Sequence, residues 1–250
     1  PTRRSSDLGE SGESVRANAV VGRFGAWDET GRAVNVAALY AGAHGIGLGE
    51  AMGKLAAEDA LPLTVDQTGD ESLAAGRADL AHAVREHGLG EALRFEHPWR
   101  RFSAIAAAYE RRVPLTVHPG IGYDIYVCHP QFHGGAIGRA AGTDFRRFVE
   151  SVSRLTGGVY LSVGSAIMSP QVFEKAFSIA NNLRAGRGEP LIGGHHVAVV
   201  DLQSGGGWDW SAGEPPHDHP AYYLRFCKSF HRMLPSPTAP GTLDYLQMDN

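Results

Sequence analysis

The stretch GVYLSVGSAIMSPQVFEKAFSIANNLR, residues 158–184, decides the fold because its pattern changes from a strand to a helix within a few residues. Residues 158–164 form a short apolar run, which is typical of a strand buried in a sheet. Residues 170–184 carry apolar side chains at helical spacing, with Ser169 as the predicted cap and Pro170 at the first helical position. The predicted buried stripe of this helix contains Val172, Phe173, Ala176, Ala180 and Leu183.

Two similar apolar runs lie on either side of this stretch. They are VPLTVH, residues 113–118, and HVAVVDL, residues 196–202. A helical pattern over residues 143–155 separates the first run from the second. Alternation of strand and helix predicts an α/β fold with a doubly wound, mostly parallel sheet, whose strands are covered on both faces.

The N-terminal half of the chain has a helical pattern in which glycine often closes a segment, as it does at helix C-termini. We expect helices within residues 13–25, 29–45, 47–60, 72–88 and 100–112. The first eight residues, PTRRSSDL, match the translation of the end of a common sequencing-library adapter, and we interpret them as an artefact. The alternative is a disordered polar terminus. Residues 9–250 are then predicted to form a single α/β domain that is incomplete at its N-terminus and open to truncation at its C-terminus.

Composition limits the classes of partner. The 250 residues are 43% hydrophobic and carry a formal net charge of −4 without a long basic run, which argues against nucleic acid as a partner. No apolar stretch approaches the roughly 20 residues that a membrane span needs. The only two cysteines, Cys128 and Cys227, are too few for a disulfide framework, and we expect a cytoplasmic protein.

Ligands of open parallel sheets bind beyond the carboxyl ends of the strands, so the segments that follow the predicted strands are the candidate sites. The first is residues 118–130, with Asp124 as the main candidate and His118, His129 and His133 nearby in sequence. This segment is interpreted as a ligand-binding loop, as a metal site, or as a turn with surface histidines.

The other two segments contain glycine and polar side chains. Gly164 and Ser165 lead to a predicted helix N-terminus, which suits phosphate or carboxylate, although an ordinary turn fits as well. Asp201 precedes a glycine loop that includes Gly205 and Gly206, and it is a candidate for the ribose of a dinucleotide. The alternative for this loop is a flexible connection. His217, Asp218 and His219 form either a metal-recruiting group or a solvated turn.

Lys228 is one of only three lysines, with Lys54 and Lys175. Interpreted as a strand, YYLRFCKSF, residues 222–230, puts Lys228 on the apolar face. Burial there would lower the pKa of its ammonium group and leave an amine able to form an imine with a carbonyl. The alternatives are a lysine that extends to the edge of the sheet or one that protects an exposed strand from pairing.

Residues 111–130, 157–170, 197–203 and 222–229 together resemble the C-terminal half of deoxyhypusine synthase and its bacterial relatives, including homospermidine synthase-like proteins. The order and rough spacing match over about residues 110–230. The resemblance implies a Rossmann-like domain of the type shared with sirtuins, NAD as cofactor, a polyamine substrate and a homo-oligomer. It also implies transfer of an aminobutyl group through a lysine imine.

Carried onto this chain, the resemblance implies that Asp124 binds the substrate amine and that Gly164 and Ser165 belong to the glycine-rich loop. It also implies that Asp201 and the loop after it contact NAD and that Lys228 forms the imine. His129 is a further catalytic candidate. Phe226-Cys227-Lys228 replaces the Trp-Gly-Lys of the family, and Ser169-Pro170-Gln171 replaces an expected histidine pair. Loss of that base predicts impaired amine oxidation. Two alternatives stay open: a nucleotide- or small-ligand-binding relative without this chemistry, and a metal-dependent hydrolase that uses His118, Asp124 and His129.

Overall fold

The computed structural model describes residues 28–66 and 68–248. The chain divides into two compact units between Arg147 and Phe148, and each unit is described by itself. The predicted helix over residues 13–25 and the segment 1–8 lie outside the described residues. The prediction of a single domain over residues 9–250 stays a prediction.

Helices dominate the described part of the first unit. They are α1 (Asp28–His44), α2 (Leu48–Glu58), α3 (Ala74–Glu86), α4 (Ala104–Glu110) and α5 (Gly134–Ser153), within which the division of the chain falls. Short strands β1 (Ala60–Pro62) and β2 (Ala92–Arg94) pair in antiparallel fashion, with Leu61 opposite Leu93. The described part of this unit also contains three 3-10 turns: Glu71–Leu73, Arg100–Phe102 and Ile125–Cys128. The helices predicted over residues 29–45, 47–60 and 72–88 are confirmed within two residues at their ends. The helix predicted over 100–112 is shorter, Ala104–Glu110, and the one predicted over 143–155 begins nine residues earlier, at Gly134.

The core of the first unit lies between α1 and its neighbours. A Cβ on Gly76 of α3 would lie 2.2 Å from the carbonyl oxygen of Gly42 in α1, so these two helices meet backbone to backbone and need glycine at the crossing. The fully buried side chains, each at most 1% exposed, include Val36, Leu39, Leu48, Leu61, Leu80 and Ile137.

The second unit contains a three-stranded parallel sheet in the order β3-β4-β5. Its strands are β3 (Val159–Val163), β4 (His196–Asp201) and β5 (Thr242–Gln247). Its helices after α5 are α6 (Met168–Gly186) and α7 (Arg225–His231), with 3-10 turns at Trp210–Ala212 and Pro220–Tyr223. The predicted strands at 158–164 and 196–202 and their parallel pairing are confirmed, as is the α/β class. The doubly wound, Rossmann-like type stays a prediction.

Aromatic rings fill the space between this sheet and its helices. Phe173 of α6 and Phe230 of α7 are fully buried, and their ring centroids lie 5.5 Å apart. The Tyr160 ring of β3 contacts both, at 4.2 Å from Phe173 and 5.8 Å from Phe230. The predicted stripe of α6 is correct at Phe173, Ala176 and Ala180 and wrong at Leu183, which is 52% exposed.

Two predicted strands are wrong. Residues 113–118 form no strand. The amide of Val117 donates to the buried Asp144 carboxylate and is therefore not available for a hydrogen bond to a neighbouring strand. Residues 222–230 form the end of a 3-10 turn and most of α7, with the amide of Lys228 donating to the Leu224 carbonyl at 3.2 Å. Positions 222, 226 and 230 share a face in a strand, and they also share a face in a helix because they are four residues apart. The aromatic spacing alone therefore does not distinguish a strand from a helix.

The outer face of β3 is open to solvent. Val159, Leu161 and Val163 are 60–66% exposed, whereas Ser162, on the opposite face, is buried. The expectation that each strand is covered on both faces is therefore wrong for β3. The described helices include none that is both long and apolar enough to cross a bilayer.

Candidate functional site

The candidate site is the carboxyl edge of the sheet in the second unit. Because β3 and β4 are parallel neighbours, the segments that follow Val163 and Asp201 leave the sheet at the same edge. Two further hydrogen bonds fix them there: the amide of Gly164 donates to the Val200 carbonyl at 2.9 Å, and the amide of Met248 donates to the Asp201 carbonyl at 3.0 Å. The structure thus brings Gly164 and Asp201, predicted separately, to one edge.

The turn after β3 is organised by hydroxyl groups. Gly164 has a φ of +67°, a conformation that favours glycine, and a Cβ there would meet no atom within 4 Å. Ser165 Oγ accepts the amide of Ser169 at 3.0 Å. The predicted capping by Ser169 is therefore wrong: α6 begins at Met168, and Ser169 Oγ instead lies 2.8 Å from both the Tyr160 hydroxyl and Ser162 Oγ. Burial raises the pKa of Tyr160, which keeps its hydroxyl protonated.

The loop after β4 has a structural reason for its glycines. Asp201 Oδ1 accepts the amide of Gln203 at 2.9 Å, while Oδ2 has no hydrogen-bond partner among the described residues. A Cβ on Gly205 would lie 2.7 Å from the Tyr245 ring, and one on Gly206 would lie 2.9 Å from the Ala221 Cβ. These glycines allow the loop to pack against β5 and against the 3-10 turn at Pro220–Tyr223. Close packing therefore accounts for the two glycines without a ligand.

Lys228 lies on α7 and is paired. Its Nζ is 3.4 Å from Glu214 Oε1 and 3.5 Å from the centroid of the Tyr222 ring. The Tyr222 side chain first, and Glu214 next, raise the pKa of Lys228 above its ordinary value. The expectation of a lowered pKa is wrong, because the polar partners favour the charged form more than burial opposes it. Glu214 belongs to the segment that follows the Asp201 loop.

The predicted residues of the 118–133 segment lie in the first unit and are engaged separately. Asp124 Oδ2 accepts the amide of Gly120 at 2.6 Å and so closes a tight loop. His129 is buried, and its Nδ1 accepts the amide of Gln131 at 3.2 Å. His133 Nδ1 accepts the amide of Ala136 at 3.1 Å. Each side chain thus helps to fold its own stretch of backbone.

Metal binding gains no support from the described part of the chain, where no three His, Cys, Asp or Glu side chains are placed to share an ion. Burial lowers the pKa of His118, whose ring lies edge-on to Phe145. In the second unit, His217 Nε2 lies 2.8 Å from the Tyr222 hydroxyl, and His219 Nδ1 accepts the amide of Ala221 at 3.2 Å. His219 therefore caps the turn that precedes α7.

Asp144 is a buried carboxylate that the sequence reasoning missed. Its Oδ2 accepts the amides of Gly49 at 2.8 Å and Val117 at 3.0 Å, which joins α5 to the start of α2 and to residues 113–118. Burial raises the pKa of Asp144. The available signal was its spacing, because Asp144 follows Ile137 and Ala140 on the apolar stripe of α5.

We compared the chain with models of protein families, with curated proteins and with solved structures, and none of the three comparisons gives a match.

Proposed function

We propose that this chain is an NAD-dependent transferase that acts on a small polyamine and moves an aminobutyl group through an imine on Lys228, in the manner of deoxyhypusine synthase. The observation that supports the proposal best is the meeting of Gly164 and Asp201 at the carboxyl edge of adjacent parallel strands. Ligands of open α/β sheets bind at such an edge. A cytoplasmic location and a homo-oligomer are parts of the same proposal.

The residues at this edge fit a dinucleotide. The unobstructed Cα of Gly164 allows close approach of a phosphate, and Asp201 Oδ2 offers an acceptor for a ribose hydroxyl. Bound NAD would take up a hydride from the amine substrate. Among the described residues of the second unit, the side chains that would act directly on the polyamine are Lys228, Glu214 and Tyr222.

Lys228 has to lose a proton before it can form an imine. Glu214 and Tyr222 hold its ammonium group in the free protein. A carboxylate and an aromatic face are also the partners that a substrate ammonium prefers. A polyamine that takes these partners would weaken the stabilisation of the Lys228 ammonium and favour the neutral amine. The neutral amine of Lys228 would attack the C=N carbon of the oxidised polyamine. The polyamine nitrogen of that C=N bond would leave as an amine, and the four-carbon fragment would stay on Lys228.

The test is incubation with NAD and spermidine, reduction with borohydride, and peptide mass mapping. We expect an aminobutyl mass increase on Lys228 and none on Lys54, which belongs to the first unit, or on Lys175, whose side chain is 67% exposed. Lys228→Arg should abolish the adduct, while the matched variant Lys175→Arg should retain it. Saturable NAD binding without an adduct on Lys228 would contradict the transferase.

The second candidate is a nucleotide-binding protein without imine chemistry. It is favoured by the pairing of Lys228, whose raised pKa makes it a poor nucleophile at neutral pH. For this candidate we expect Lys228→Arg to leave NAD affinity unchanged and the wild type to give no trapped adduct. Substitution of Asp201 by Asn should weaken NAD binding for either candidate, so it locates the nucleotide independently of the chemistry.

A further inference from the structure

A cavity of about 560 Å³ lies in the first unit, and no residue of the proposed transferase site lines it. Its walls come from the C-terminal end of α1, the turn that leads into α3, and one face of α5. The volume falls within the roughly 300–1,000 Å³ of small-molecule sites. Its polar lining includes His44, Ser72, Arg139, Thr143 and Arg146.

The basic side chains of α5 give this cavity its charge. Arg139 and Arg146 are seven residues apart and therefore lie on one face of the helix. Arg139 pairs with Asp79, but Arg146 contacts no carboxylate among the described residues. Arg146 Nη2 donates to Thr143 Oγ1 at 3.0 Å, and Thr143 Oγ1 donates to the Arg139 carbonyl at 3.1 Å. The charged and hydroxyl groups are thus held side by side.

One carboxylate, that of Asp70, also lines the cavity. Its Oδ1 accepts the amide of Ser72 at 2.9 Å, and the Ser72 hydroxyl and amide lower the pKa of Asp70, so it is ionised at neutral pH. His44 Nδ1 lies 2.9 Å from the Tyr40 carbonyl, which leaves Nε2 as its second polar atom. The cavity therefore offers guanidinium donors together with two separate acceptors, the Asp70 carboxylate and Nε2 of the neutral His44 ring.

Glycines keep the α5 wall of the cavity bare. Gly138 and Gly142 lie inside the helix, where glycine is less favourable than alanine. A Cβ on either would meet no atom within 4 Å, so packing does not require glycine at these positions. A larger side chain at Gly142 would project into the cavity beside Arg146. The bare wall allows a ligand to approach the helix backbone closely.

We propose that this cavity binds a small phosphorylated compound, with the phosphoryl group on Arg146 and a hydroxyl of the organic part on Asp70. Arginine donors suit phosphoryl oxygens, and Arg146 has no carboxylate partner among the described residues that would compete for it. The site is independent of the proposed transferase, because it lies in the first unit and shares no residue with it.

The test is calorimetric titration with inorganic phosphate and with glycerol 3-phosphate at constant ionic strength. We expect saturable binding of both, with glycerol 3-phosphate tighter because its hydroxyls reach Asp70. Arg146→Gln should weaken both by about tenfold or more. The matched control is Arg154→Gln, an exposed arginine directly after the end of α5 that pairs with Glu150 and should not change either affinity. Absence of saturable binding, or equal weakening by the control, would overturn the proposal.

Gly142→Gln separates binding from folding. Glutamine is a better helix former than glycine, so the variant should be at least as stable as the wild type. Its side chain should fill the space beside Arg146 and abolish phosphate binding. Gly142→Ala, which adds only a methyl group, should raise Tm by a few degrees and retain part of the affinity. Wild-type affinity in Gly142→Gln would place any phosphate binding outside this cavity.

Discussion

At the residue scale, Asp144 determines what its neighbours can be. A Cβ on Gly47 would lie 1.7 Å from Asp144 Oδ1, although the backbone of Gly47, at φ −79° and ψ 160°, is open to any residue. Glycine is needed there because the buried carboxylate occupies the space, not because of the turn. The carboxylate is in turn held by two backbone amides, so it cannot move aside without breaking both hydrogen bonds.

Gly47→Ala should therefore lower the free energy of unfolding by about 1–3 kcal/mol through overpacking. Denaturant unfolding measures this loss. Gly90→Ala is the matched control, since a Cβ on Gly90 meets no atom within 4 Å, and it should change stability little. In an Asp144→Ala background, the Gly47→Ala penalty should shrink because the collision is gone. Equal penalties in the two backgrounds would show that the carboxylate is not the obstacle.

Lys228 provides a second prediction at this scale. Tyr222 and Glu214 raise its pKa, so it should titrate above the ordinary value of about 10.4. The stabilising effect of its charge is fully present below the pKa of the unfolded chain and is lost as pH rises through the folded value. Tyr222→Leu and Glu214→Gln should each lower the pKa of Lys228. NMR of the lysine ε-methylene groups can follow this, because only three lysines contribute signals. A wild-type value below 10.4 would contradict the pairing.

At the element scale, the sequence predicted β3, α6 and β4 well because each carries its signal locally. Apolar runs bounded by glycine identified the strands, and helical spacing identified α6. Residues 113–118 carry the same apolar signal without forming a strand, because the Val117 amide is bound by Asp144, 27 residues away. In the candidate site, Gly164 and Asp201 could be placed from the parallel topology alone. The pairing of Lys228 with Glu214 could not, because it depends on the path of residues 202–224.

The packing of α6 on the sheet gives a third prediction. Phe173 is fully buried against Tyr160 and Phe230, so Phe173→Ala should cost about 3–5 kcal/mol of unfolding free energy. Leu161→Ala, on the open face of β3 at 60% exposure, should change stability far less. Denaturant unfolding followed by tyrosine and tryptophan fluorescence compares the two. Similar losses would indicate that the outer face of β3 is buried in solution, as it would be in a homo-oligomer that packs on this face.

At the scale of the whole molecule, one buried and two half-buried histidines link stability to pH. Burial lowers the pKa of His118 in the first unit and of His195 and His231 in the second. The unfolded chain then binds more protons than the folded chain below about pH 6.5, so folding stability should fall as pH decreases through that value. The stability gained by keeping these histidines neutral is fully present only above about pH 6.5.

Thermal unfolding at pH 7.5 and pH 5.5 tests this prediction in both units. We expect a lower Tm at pH 5.5, and we expect His195→Phe to reduce the difference because it removes one buried titrating group. His82→Gln is the control, since the His82 side chain is 64% exposed and its replacement should leave the difference unchanged. A Tm that is independent of pH between these values would contradict the assignment.

The position of β4 between two parallel neighbours has a consequence for isotope exchange. Every amide of β4 faces either β3 or β5, whereas alternate amides of β3 point away from the described sheet. In deuterated water, protons of β4 should therefore be retained longest, and every second proton of β3 should be lost early. The amide protons of β3 that are lost early belong to the backbone groups with which another strand can pair. Slow loss of the same protons at high protein concentration would identify β3 as the edge at which two copies of the chain associate.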